Sequence, residues 1–253
     1  MPVLENPRFE YLLRLGDDAL ILGQRLAEWC GHAPTLEVDL GLANIALDLI
    51  GQATLFLDLA GGTDKLGRDA DQLAFHRDAL AYRNCLMVEQ PNGDFARTIA
   101  RQFLYSNHHE LLLDSLQRSV DGRIAEIAAK AVKEVRYHFE LAGEWVVRLG
   151  DGTEESRARM IDGLDWHWRF VDELFQTDDL EATLVDRGVA PDRKALRPAF
   201  DARLNAVLGD AGIPLPSPIR PVTGGRVGHH SEHLGHLLAV MQHLPLRYPG
   251  AQW

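Results

Sequence analysis

"KEVRYHFELAGEW" (133–145) decides how this chain is read. It lies in a run, 122–149, whose apolar residues Ile124, Ala128, Ala131, Val135, Ala142, Trp145 and Leu149 recur every three or four positions. That spacing is the core-facing stripe of an amphipathic helix. His138 falls on the same stripe between Val135 and Ala142, so the pattern turns an imidazole inward. Glu134 stands one turn before it, at the edge of the stripe. Helical bundles hold paired iron ions with an inward glutamate and histidine, but there the two are three residues apart. Three residues before His138 is Val135, which has no atom able to bind a metal.

The same test applies to the helix expected over 35–60, with Thr35 as N-cap and the glycine pair 61–62 as its stop. An inward row runs through Gly41, Ile45, Asp48, Gln52, Leu55 and Leu59. Asp48 offers a carboxylate, but Gly51 stands where the histidine is needed. Two further helices would each add one carboxylate. Glu28 follows Asp17 and Gln24 on the helix over 9–30, and "YSNHHE" (105–110) supplies His109 or Glu110 on the helix over 94–119. A di-iron centre draws on carboxylates from four helices. Glu28, Asp48, Glu134 and His138 form a short, mismatched set. The expectation is a vestigial site with no metal, in which Asp48 and His138 are a buried polar pair. The competing reading is an independent di-iron oxidase using Asp48, Glu134, His138 and His109.

The rest of the chain is helical in pattern too. Helices are expected over 70–89, 154–175, 178–187, 192–209 and 229–244. No run alternates long enough for a sheet, so the fold class is all-α. Long helices on short loops predict a helical bundle, and by analogy the two long helix pairs, 9–60 and 94–149, suit the halves of a ferritin-like four-helix bundle with additional C-terminal helices, expected as a single domain over 1–253. "GIPLPSPIRPVTGGRVG" (212–228) is an extended connector. About 25 residues follow it, too few for a core of their own. They are expected to dock back, with Trp253 as an anchor.

"GHHSEHLGHLLAVMQH" (228–243) places His229, His233 and His236 at i, i+4 and i+7, beside Glu232. Such spacing permits zinc, yet one helix does not easily close a tetrahedron. A packing or interface face is favoured, with His229, Glu232, His233, Met241 and Trp253 as its candidates. No nucleophile elbow or phosphate loop occurs, and no residue is expected to be catalytic.

Of 253 residues, 46% are hydrophobic and 25% charged, the balance of a soluble globular protein. The formal charge of −11 argues against nucleic acid and anionic membranes as partners. "DRKALR" (192–197) reads as a solvated helix face. Cys30 and Cys85 have no metal or disulfide spacing. The first residues lack a secretory pattern, and 36–60 carries Asp39, Asn44, Asp48, Gln52 and Asp58, so no membrane span is expected. The expected location is the cytoplasm.

Four segments carry a family resemblance: "RLAEWCGHAPTLEVDLGLANIALDLIGQA" (25–53), "VEQPNGDFARTIARQF" (88–103), "AAKAVKEVRYHFE" (128–140) with "RLGDGTEES" (148–156), and "TGGRVGHHSEHLGHLLAVMQ" (223–242) with the closing "PGAQW". In these the chain resembles the C subunits of bacterial phenylacetyl-CoA epoxidases. The resemblance implies a ferritin-like fold and a structural, non-catalytic subunit with no cofactor of its own. It implies a partner A subunit that holds the di-iron centre and binds the acyl-CoA, a small B subunit, and an iron–sulfur flavin reductase. The product is a ring epoxide. Val135 and Gly51, in positions where ligands are needed, agree with a non-catalytic member.

Overall fold

The computed structural model describes residues 6–249 and Ala251, among which there are eleven α-helices and no strand. They form two compact units, Met1–Pro91 with Thr223–Trp253 and Asn92–Val222.

The first unit is built on α1 (Pro7–Ala27) and α2 (Leu36–Gly61). Asn6 caps α1 by accepting the Phe9 N–H, and Pro7 fills the first turn, where no N–H is needed. Thr35 caps α2 as expected, accepting from Val38. Gly16 lies against Leu57, and Gly23 against Ala46 and Leu49, so the two helices run antiparallel at close range. α2 is turned from the expected row. Its buried residues include Val38, Leu42, Ile45, Leu49, Gln52 and Phe56, while Asp48 is half-buried and Leu55 exposed. A helix apolar all round has no single stripe to read.

The helix expected over 70–89 is broken. α3 (Ala70–Phe75) starts at a capping box of Asp69 and Gln72 and stops at His76. A 3₁₀ turn (Ala79–Ala81) and α4 (Leu86–Glu89) follow. The cause lies in α1. The buried carboxylates of Asp17 and Asp18 accept the backbone N–H groups of Arg83 (2.8 Å) and Cys85 (2.7 Å), which a helix would keep for itself.

The second unit centres on α5 (Phe95–Leu116), which packs against α6 (Gly122–Gly150), α7 (Glu154–Trp168) and α9 (Arg197–Asp210). α8 (Asp179–Asp186) completes it with 3₁₀ turns at Val171–Phe175 and Arg193–Leu196. The α6 stripe holds from Ile124 through Val135, His138 and Ala142. Beyond that, Val146 and Gly150 are buried, and Trp145 and Leu149 only half-buried. Steps of four continue from His138, each about 40° past a full turn, so the buried row drifts round the helix instead of following the mixed steps expected. Trp145 packs edge-on against Phe95 at 5.1 Å.

Residues 213–224 have no regular structure, as a connector should. The chain then forms a 3₁₀ turn (Gly225–Val227), α10 (Glu232–Met241) and α11 (His243–Arg247) within the first unit. Trp253, the expected anchor, lies outside the described residues.

Candidate functional site

In the second unit the inward residues of α5 and α6 have partners that leave little for a metal. Glu110 is buried, and both its oxygens accept guanidinium hydrogens, from Arg136 Nε at 3.2 Å and Arg203 Nη1 at 2.8 Å. His109 is buried beside Tyr105. Burial, then repulsion from His138 and Arg193, push His109 down to about 3. Arg193 is itself buried and held by Glu181 at 2.6 Å. His138 is buried on α6 as its spacing foretold, and Glu134 is half-buried beside it in sequence.

Asp48 and Glu28 belong to the first unit. Asp48 is half-buried rather than core-facing, and Glu28 lies past the end of α1, exposed and paired with Arg25 at 2.9 Å. The row Asp17–Gln24–Glu28 therefore buries only its first member fully. Among the described residues, no group of three or more His, Cys, Asp or Glu side chains is placed to hold a metal ion. A di-iron centre needs carboxylates free to bind, and here Glu110 serves two arginines while Val135 and Gly51 offer no ligand. The residues do not fit the group.

The neutral state of His109 has a pH consequence. Its folded value lies below the ordinary 6.5, so the unfolded chain takes up the proton first. The stability this group contributes is whole above about 6.5 and is lost as pH falls toward about 3. His167, held well below its ordinary value by burial and then by Arg101 and Arg97, acts with the same sign. His109→Phe is expected to flatten part of the fall in Tm on acidification, and melts at stepped pH check it. Parallel slopes would contradict it.

The C-terminal histidines do not share a helix face. α10 starts only at Glu232, after Gly228 at φ 83°, a left-handed conformation that ends the preceding turn. His229, Glu232 and His236 are exposed, while His233 and Met241 are half-buried. The zinc arrangement of His229, His233 and His236 on one helix is thus overturned.

Sequence reasoning missed what this segment does instead. Glu89 at the end of α4 is fully buried. Its carboxylate accepts from the Ser231 N–H (2.6 Å), the Ser231 hydroxyl (2.8 Å) and Asn84 Nδ2 (2.9 Å), and meets His230 Nδ1 at 2.7 Å. His230 Nε2 faces the Tyr82 carbonyl at 3.0 Å. Both ring nitrogens face acceptors, so both bonds form only with a doubly protonated ring. Burial opposes that charge, but the bond to Glu89 and its charge outweigh it and raise the His230 pKa. Arg25 donates twice to the Glu89 carbonyl and once to that of His233. Arg226 joins Asp18 at 2.7 Å and reaches the carbonyls of Arg14 and Arg83. Residues 225–242 are a strap fastened by polar bonds to α1 and to the broken segment 76–90.

The helix order defines a class: an all-α protein of ferritin-like build, with two long helix pairs and short helices after them. The family model described as "Phenylacetic acid catabolic protein" matches residues 2–253, and the chain belongs to that family. It is 48% identical over 248 residues, 98% of this chain and 100% of the relative, to the C subunit of the 1,2-phenylacetyl-CoA epoxidase of Escherichia coli (strain K12). Its place is in phenylacetate catabolism.

Proposed function

We propose that this chain is the non-catalytic structural subunit of a multicomponent phenylacetyl-CoA 1,2-epoxidase, pairing with a catalytic A subunit that carries the di-iron centre. The carrying observation is Glu110, whose two oxygens are taken by Arg136 and Arg203 in the helix pair where a ligand carboxylate is needed. Val135, inward and fully buried one turn before His138, supports the same reading. So does the relative, which is named as one part of a multi-subunit epoxidase. A small B subunit and an iron–sulfur flavin reductase complete the assembly in the cytoplasm. A subunit of this kind supports its iron-bearing partner without chemistry of its own, and a pair of unlike relatives can arise from a like pair.

Co-expression with the A subunit followed by size exclusion tests this. Co-elution is expected, with epoxidation by the A subunit dependent on this chain and insensitive to Asp48→Asn. Separate elution of the two chains, or loss of turnover on Asp48→Asn, would count against it.

A further inference from the structure

We propose that the exposed face of α2 is the surface on which a helix of a non-identical subunit packs, a helix with an apolar ridge flanked by lysine or arginine. This rests on the subunit reading above and names the surface and the chemistry of its partner.

α2 is the one helix among the described residues long and apolar enough to cross a membrane, yet only half of its most apolar stretch is buried. The solvent side of α2 presents Leu36 (71% exposed), Leu40 (57%), Leu47 (67%) and Leu55 (37%). Their spacings of four, seven and eight are those of one helical face, and they extend along about 28 Å of axis. Gly51 lies within this face, and a side chain added there meets nothing within 4 Å. A ridge of leucines with a notch accepts another helix by interdigitation, which a flat or extended partner does not match. Isolated surface leucines are ordinary, but here four share one face of one helix.

Charge selects the occupant. α2 carries Glu37, Asp39, Asp48 and Asp58 and has no lysine or arginine. Asp39 is occupied with the Gly31 N–H at 2.7 Å, while Glu37 and Asp58 are exposed at the two ends of the leucine face. Two copies of α2 packed antiparallel about their midpoint would set Glu37 of each against Asp58 of the other. Like charges so placed oppose a pairing of identical chains. They also oppose an anionic lipid surface. A different helix with basic residues at those positions satisfies both the ridge and the ends.

The test uses the full chain and the purified A subunit of the epoxidase, with affinity read by calorimetry. Leu40→Arg with Leu47→Arg changes only exposed positions, so helical circular dichroism and Tm should stay at the wild-type level. Affinity is expected to fall by about 100-fold or more, as for anchors at an interface centre. Tyr137→Arg, an exposed change on α6, should leave affinity unaltered. Glu37→Lys with Asp58→Lys should weaken binding most at low salt. If wild type binds and the leucine variant binds equally, the surface is wrong while the subunit reading stands. If wild type does not bind at all, both fall. If the leucine variant instead abolishes self-association, or wild type floats with phosphatidylglycerol vesicles, the occupant is wrong.

Discussion

Glu89→Ala is expected to destabilise the protein by about 3–5 kcal/mol, because it strips one partner from a buried, hydrogen-bonded pair. The substitution leaves the His230 ring, the Ser231 N–H and hydroxyl, and Asn84 Nδ2 without the shared acceptor that the fully buried Glu89 provides. The strap 225–242 should loosen with it, and hydrogen exchange should show amides from Ser231 into α10 opening before those of α1 and α2. Urea melts give the magnitude. A loss under about 1 kcal/mol would mean that water replaces the carboxylate without penalty. The pair also carries a pH signature opposite to that of His109. The folded His230 value is raised, so its contribution is whole below 6.5 and is lost as the pH rises through the folded value. Glu89 faces the ring directly, and Asp17 of α1 adds to the same effect. The wild type should therefore lose strap protection on mild alkalinisation, and His230→Gln should not.

Asp17→Ala should cost a similar amount, about 3–5 kcal/mol, for a related reason. Asp17 is fully buried and clamps Arg77 with both oxygens, one at 3.0 Å from Nη1, while also accepting the Arg83 N–H. Its removal leaves a buried guanidinium that still lies over the Tyr82 ring at 4.2 Å. Arg77→Met should be damaging as well. The double variant Asp17→Ala, Arg77→Met should be clearly less damaging than the sum of its parts, since the lone buried charge is gone. It should not return to wild type, because Arg77 also serves the carbonyls of Leu73 and Ala81. Strict additivity in a double-mutant cycle would contradict the coupling.

Much of the fold is legible where one face of a helix is apolar. Val135, His138 and Ala142 can be placed inward from spacing alone, and the structure buries all three. Spacing fails on α2 because apolar residues surround it, so Asp48 is placed further inward than the fold allows. It fails on 70–89 because the partners that break the helix, Asp17 and Asp18, lie on α1, more than sixty residues earlier. The fate of Glu110 is hidden for the same reason, since Arg203 is 93 positions away. The strap could not be derived from local pattern, as Glu89 and His230 are 141 positions apart. The signal that bears on it is a glutamate set in the apolar surroundings of "LMVEQP", which must find donors if it is buried.

The structural-subunit account is tested most directly by the iron content of this chain purified alone from iron-replete cells, measured by elemental mass spectrometry. The account predicts iron far below one ion per chain, with stoichiometric iron appearing only in preparations that also contain the A subunit. About two iron ions per isolated chain, the content of a working carboxylate-bridged bundle, would contradict it and make this chain an oxygenase in its own right.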